Sequence, residues 1–388
     1  MTPWTIALAS APNEMVQEEI LKLVAHVSRD VRTPRFSADG MELHVEFVGD
    51  PANAESVKAE VAAVATKIQR SLRRLERKVA HRTAGGWDRA PTLPAAGAGI
   101  WFSGVGQVQL DGAGLLAMRR LESLLEEYGR AWHPTPLQTP TLIPAPVLAR
   151  CDYFRSFPQY VSFVSHLHED FGVIDGFRTR HQERDTLDEQ SRQDLDLPGV
   201  CLSPAVCYHV YHRHANARVP EAGLTYELQG RCFRYESTNL SDLRRLWEFT
   251  MRELVFVGTR EWVLARREEA IAAFIPLLER LELPAEIRTA SDPFFVAPDA
   301  TAKTYFQLSS ETKYEISVGL GGDERLAVGS FNYHTDFFGR AFETNVGDAG
   351  PAHSVCVAFG LERLAHAILA HHGSNPEAWP AALQGMAS

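Results

Sequence analysis

The segment GRCFRYES, residues 230–237, sets two arginines, a cysteine and a glutamate side by side in strand-like sequence. Alternate residues of a strand share a face, so Arg234 and Glu236 point one way while Phe233 and Tyr235 point the other. An exposed ion pair is the plain use of such residues, and it stabilises little. A guanidinium is also a planar fork suited to bidentate grip on an anion, so the pair becomes a site if other chemistry converges on it. The five cysteines (151, 201, 207, 232, 356) are odd in number, scattered, and contain no CxxC pair. They read as free thiols or dispersed metal ligands rather than a disulfide framework. His209, His212 and His214, close together in CYHVYHRH, suit alternating strand faces or a helix equally. These three, with His166 and His168, read as solvated or packed side chains.

The elements that must position these residues fall into two parts. WTIALAS reads as a strand and NEMVQEEILKLVAHV as an amphipathic helix capped by Asn13. DVRTPRFSADGMELHVEFVG reads as a hairpin turning at Asp39-Gly40. Asp50-Pro51 opens a long helix whose apolar stripe is Val57, Val61, Val64, Ile68, Leu72, Leu75 and Val79. Its distal half, KIQRSLRRLERKVAHR, is basic: a solvated face, or a docking surface for an acidic partner. The boundaries expected are an amino-terminal unit over 1–82, a Gly/Pro/Ala-rich linker over 83–99 and a large domain over 100–388. In the large domain a helix around GLLAMRRLESLLEEYGRAW leads into the extended PLQTPTLIPAPVLA. The polar stretch 178–196 reads as a mobile surface loop, and strand-like runs over 200–258 and 304–346 precede a closing helix from about Gly360. Strand-rich stretches ending in helices predict an α+β fold with a largely antiparallel sheet flanked by helices, and a small amino-terminal α/β unit.

An apolar content of 45% with 23% charged residues is ordinary for a globular protein. No run is long enough to span a membrane and no signal pattern opens the chain, which predicts a cytoplasmic protein without a membrane partner. The net charge of −10 repels phosphate backbones, so nucleic acid would need a local basic patch.

Three features in order carry a family resemblance over roughly residues 105–375. PLQTPTLIP follows a long helix; FRYE is followed by a polar loop and a strand with Phe249 and Glu253; SVCVAFGLER places Glu362 and Arg363 at a helix start. This set resembles the three signature motifs of class II aminoacyl-tRNA synthetases. RRLWEFTMRE is similar to the corresponding strand of seryl-tRNA synthetases. Cys207, Glu253 and Cys356 are similar to the zinc ligands of the atypical, methanogen-type seryl enzymes. GRCFRYES, LWEFTMRELVFVG and AVCYHVYH look most like the truncated relatives of those enzymes, the amino acid:carrier protein ligases.

The resemblance implies ATP-dependent activation of an amino acid, with Mg2+ accompanying the ATP, at a class II synthetase-like sheet. By it, Arg234 grips the α-phosphate and the attacking carboxylate. Arg363 holds the γ-phosphate, Phe249 forms one side of an adenine sandwich, and Glu236 meets the adenine or the magnesium. Ser330 and Asn332 match the serine and asparagine of the seryl pattern and join the cofactor-binding set. Zn2+ on Cys207, Glu253 and Cys356 keeps a fourth position for a neutral α-amino group, which selects small amino acids such as glycine or alanine. Cys151, Cys201 and Cys232 are then structural. The acceptor implied is the phosphopantetheine thiol of a carrier protein, and the helix and strand over 110–145 imply a homodimer. The alternatives are an atypical seryl-tRNA synthetase, against which the short amino-terminal unit and acidic charge speak, and a non-catalytic paralogue that binds amino acid or nucleotide. One departure touches magnesium: Ala327 falls where a glutamate is expected, with Glu315 and Glu324 nearby.

Overall fold

The computed structural model describes residues 2–87, 91, 92, 94, 98–236, 240, 242–292, 300–322 and 324–384. Parts of the expected linker (88–90, 93, 95–97) and of the polar loop after FRYE (237–239, 241) therefore lie outside the described residues.

The chain opens with β1 (Thr2–Ala7), α1 (Glu14–Val24), β2 (Val31–Phe36), β3 (Glu42–Phe47) and α2 (Ala54–Leu72). The strands form an antiparallel sheet in the order β1-β3-β2, and Gly40 turns the hairpin at φ 71°. Asn13 caps α1, its side chain accepting from the Val16 amide at 2.9 Å. Helices α1 and α2 pack their apolar stripes on this sheet around Ile20, Leu43 and Ile68.

The expected long helix stops at Leu72, short of Val79. Tertiary hydrogen bonds override the local helical pattern here. Arg77 donates to the Thr289 carbonyl (2.7 Å) and the Glu18 carboxylate, and the Lys78 amide donates to Thr289 Oγ1 (2.9 Å). The chain continues as β4 (Val79–Arg82), an edge strand of the large sheet.

The large sheet is built from β4, β5 (Thr135–Leu137), β6 (Leu224–Phe233), β7 (Glu248–Gly258), β8 (Ala285–Thr289), β9 (Lys313–Gly319), β10 (Arg325–Tyr333) and β11 (His353–Gly360), in the order β4-β8-β9-β10-β11-β7-β6-β5. Every neighbouring pair is antiparallel except β5 with β6. One face carries Leu254, Phe256, Ile316, Phe331, Val357 and Phe359. It packs on α3 (Gly112–Gly129), α5 (Arg260–Arg280) and α6 (Leu361–His372), where Phe274 meets the rings of Tyr128, Phe331 and Phe359. The other face carries the alternate residues, with α4 (Cys207–Arg213) lying on it. At Gly329 a Cβ would approach the Ala358 carbonyl oxygen to 2.8 Å, so the strands there close only around glycine.

Three further expectations change. The stretch 178–196 holds the end of a helix at Phe171–Arg180 and a short helix at Glu189–Gln193, tied together by an Arg180–Asp194 ion pair. The extended PLQTPTLIPAPVLA is strand only at Thr135–Leu137 and Leu142–Pro144, and Ala145–Arg150 is helical. Cys207 opens a helix rather than sitting in a strand. Among the described residues, no helix is long and apolar enough to cross a membrane.

Removing the Phe274 ring leaves a cavity between α5 and the sheet. Phe274→Ala is expected to lower stability by about 3–5 kcal/mol, read as a drop in urea midpoint with an unchanged slope.

Candidate active site

The polar face of the large sheet holds a cleft. Its lining draws from four strands: Phe249 and Met251 from β7, Lys313 and Glu315 from β9, Ser330 from β10, and Ala358 from β11. Arg234 and Glu236, just past the end of β6, and Glu362 and Arg363, at the start of α6, complete it. Arg234 and Glu236 therefore both face the cleft as expected, although they lie one and three residues beyond the end of the strand.

Each arginine is clamped by backbone. Arg234 donates Nε–H to the Pro204 carbonyl at 3.1 Å, and its guanidinium stands 5.3 Å from the centre of the Phe249 ring. Arg363 donates to the carbonyls of Arg244 (2.7 Å) and Ala327 (3.1 Å). Burial pushes the Arg363 guanidinium below its ordinary range, with Glu236 acting in the opposite sense. Neither side chain has a carboxylate within salt-bridge distance among the described residues, so both present cationic surface that an anion can satisfy. Glu236 pairs with Arg245 at 3.3 Å.

Asn332 donates to Ser330 Oγ at 2.8 Å and so meets the cleft through Ser330. Ala327 also lines the cleft, as does Glu315, whereas Glu324 is tied to Arg244. Of the two carboxylates near the expected magnesium position, Glu315 is therefore the one that faces the cleft.

On the same sheet face, Cys207, Glu253 and Cys356 converge, with donor atoms within 4.8 Å of one another and all three residues buried. Register produces this: Val255 stands opposite Cys356 and Glu253 opposite Ala358, so Glu253 and Cys356 are diagonal neighbours. Helix α4 brings Cys207 over them. Glu253 accepts from the Cys207 amide and the Cys356 thiol, both at 3.1 Å. Burial raises Glu253 and pushes Cys356 well above its ordinary value. For Cys207 the hydrogen bond with Cys356 acts downward, and burial with Glu253 outweighs it to leave the thiol raised. A buried carboxylate held only by neutral donors is costly, and a dication with soft and hard ligands suits the set. The residues fit zinc: two thiolates and one carboxylate, leaving a position open.

Residue-by-residue reading missed three groups. Glu362 is 1% exposed and accepts from the Thr250 amide (2.7 Å) and hydroxyl (2.8 Å), pinning β7 to the start of α6 beside Arg363; burial raises it. Its signal was the GLER sequence, which yielded a helix start and no role. Lys313 and Asp292 pair at 2.5 Å, and nothing local in TKYE or SDP announces the contact.

The sheet order, the arginines at the ends of β6 and β11, and the face they share define a class II aminoacyl-tRNA synthetase-like protein. The M. kandleri SerRS, solved in complex with A. aeolicus tRNASec, matches 98% of this chain and 76% of its own at a TM-score of 0.68 and 21% identity. The chain belongs to the amino acid–acyl-carrier-protein ligase family: it is 36% identical over 242 residues to amino acid–acyl-carrier-protein ligase 2 of Bradyrhizobium diazoefficiens, covering 62% of this chain and 70% of that one. It is also related to the type-2 serine–tRNA ligase of Methanopyrus kandleri, at 27% identity over 271 residues, 66% of this chain and 51% of that one. No protein-family model matches the chain.

Burial would raise the Asp292 carboxyl, but the Lys313 ammonium and the Gln307 hydrogen bond overcome it and set it at about 2. A carboxyl lower in the folded state than in the unfolded one stabilises the fold above roughly pH 4 and loses that contribution as pH falls through about 2. Urea midpoints should therefore fall more steeply between pH 4 and 2 in the wild type than in Asp292→Asn.

Proposed function

We propose that the chain activates a small amino acid with ATP and transfers it to the phosphopantetheine thiol of a carrier protein. The observation that carries the reading is the meeting, on one sheet face, of two backbone-clamped arginines with the Cys207–Glu253–Cys356 donor set. Attack of a carboxylate on the α-phosphorus crowds negative charge onto phosphate oxygens, so the protein's task is positioning and neutralisation. Arg234 serves the α-phosphate and the attacking carboxylate, and Arg363 the γ-phosphate. Phe249 offers a face to the adenine, and Glu236, Ser330 and Asn332 complete the nucleotide and cofactor-binding set. Glu315, rather than Glu324, is the carboxylate available to a magnesium accompanying ATP.

Cys207, Glu253 and Cys356 would hold Zn2+, and a bound zinc would offer its open position to a neutral α-amino group. The donor set lies in a packed cluster with Cys232, Tyr211 and Val255, and this crowding supports glycine or alanine as substrate. The carrier protein as acceptor follows the name of the Bradyrhizobium relative. The likeness of 110–145 to the first synthetase motif supports a homodimer paired there.

The test is amino-acid-dependent exchange of labelled pyrophosphate into ATP, followed by transfer to holo-carrier protein with tRNA as the competing acceptor. Glycine or alanine should support exchange. Arg234→Ala should lower it by about a thousandfold, the loss of roughly 4 kcal/mol of charge stabilisation. Cys207→Ala should abolish both exchange and zinc content measured by atomic emission. Zinc-containing protein that exchanges with no amino acid would falsify the catalytic reading.

A further inference from the structure

Helix α1 and the turn that ends it carry Glu19, Lys22 and His26 at spacings of three and four, on one side. That side lies against both rims of the cleft. At one end Glu19, 2% exposed, accepts from Ser291 Oγ at 2.6 Å and from Lys22 Nζ at 2.8 Å. Ser291 precedes Asp292, whose carboxylate holds the cleft-lining Lys313. At the other end the His26 ring meets Tyr160 edge-on, with centroids 6.3 Å apart. The Tyr160 carbonyl accepts from the amide of Tyr235, the residue before Glu236. Lys22, in the last turn of α1, therefore lies between the two contacts that hold the segment to the rims.

The charges around it identify which end of the cleft this is. Burial would lower the Lys22 ammonium, but Glu19 and then the cleft-lining Glu315 outweigh it and keep the charge. His26 is acted on by Glu236 and Arg245. Contacts carry the link on to Arg363: Tyr160 holds Tyr235 beside Glu236, Glu236 pairs with Arg245 at 3.3 Å, and the carbonyl of the preceding Arg244 accepts from Arg363 at 2.7 Å. The amino-terminal unit thus faces the Arg363 end. Lys22 keeps 33% of its side-chain surface exposed, and Glu19 takes only one of the three protons an ammonium can donate.

We propose that Lys22 is a nucleotide-binding residue, its ammonium donated by the amino-terminal unit to the β- and γ-phosphates of ATP at the Arg363 end of the cleft, with α1 covering the cleft mouth. The inference rests on the nucleotide reading of the cleft given above. It gives the amino-terminal unit a part in the chemistry. The unit's helix is fixed to the large domain by Arg77 and Arg288, both on Glu18, and its Lys22 would add an ammonium to the cleft's own cations, Arg234, Lys313 and Arg363.

The experiment measures dissociation constants of ATP and AMP by titration calorimetry on the full chain. The variants are Lys22→Gln, Lys22→Arg and the double variant Glu19→Gln/Lys22→Gln. AMP lacks the phosphates assigned to Lys22, so the ratio of the two constants isolates the contact. Lys22→Gln and the double variant should each bind ATP about tenfold more weakly while AMP changes less than about twofold, and Lys22→Arg should stay near wild type. Equal weakening of ATP and AMP, or no weakening, overturns the proposal. So does recovery of ATP affinity in the double variant, because Lys22 would then serve only to neutralise Glu19. If Lys22→Gln alone misfolds around the orphaned Glu19, the double variant decides. Wild-type chain that binds ATP but exchanges no pyrophosphate would sink the catalytic reading and leave Lys22 in place; a wild type that binds no ATP sinks both.

Discussion

The register between β6, β7 and β11 is the constraint from which the site follows. Side chains alternate across a sheet, so sliding β7 by one residue against β11 would turn Glu253 toward Phe274 and bury Leu254 among the cysteines. The slip is prevented from the apolar side. Leu254, Phe256, Val357 and Phe359 are almost wholly buried under three helices, and the slip would turn Leu254 and Phe256 out of that core and away from Val357 and Phe359. Packing on one face thus fixes the chemistry on the other. Glu362 adds a pin of its own, because its carboxylate takes both donors of Thr250 and holds the end of β7 against the helix that carries Arg363.

How much of this could be read from the sequence depends on how far each residue's partners lie along the chain. Arg234 and Glu236 were legible because period-two alternation is local, and Asn13 and Asp39-Gly40 because caps and turns are local. The set Cys207, Glu253 and Cys356 was legible only through resemblance, since the spacings of 46 and 103 residues say nothing by themselves. The end of α2 differs from the pattern: the apolar stripe runs on past Leu72 to Leu75 and Val79, and a strand forms at Val79 because Thr289 and Glu18, far away in sequence, capture Arg77 and Lys78. Lys313 and Asp292 were invisible for the same reason. Segment 178–196 was misjudged on polarity, although the cap at Asp188, whose side chain accepts from the Ser191 amide, is itself a local helix signal.

Most groups of the site share an electrostatic feature; Arg234 is the exception, since burial would lower its guanidinium but Tyr153, Cys232, Tyr208 and Glu236 outweigh that and raise it. Glu253, Glu362, Cys207 and Cys356 are all raised, and Arg363 is lowered, so each is held in a place where its charged form is disfavoured. Surface ion pairs such as Arg192–Glu189 carry no such burden. Buried groups whose charges are not satisfied within the protein cluster where ligands will supply the missing partner. Here Arg363 stands in the cleft and the Cys207–Glu253–Cys356 donors lie on the same sheet face, with Arg234 acting on both. A polyphosphate and a cation would each find the opposite charge waiting.

That arrangement also bears on how the donor set can be filled. With no metal, the Glu253 carboxyl and the two thiols are all shifted toward the forms that carry protons, and the Cys356 thiol donates its proton to a Glu253 oxygen. A metal must displace those protons, so its affinity has to rise with pH, and the protein's rigidity decides the rest. Helix α4 holds Cys207 by its amide as well as its thiol, since the Glu253 carboxylate accepts from that amide. The carboxylate is therefore already oriented by backbone before any metal arrives, and a second carboxylate oxygen remains to serve as ligand. A site arranged this way loses little freedom on binding, which is the condition under which three ligands, rather than four, can hold a metal and leave a position for substrate.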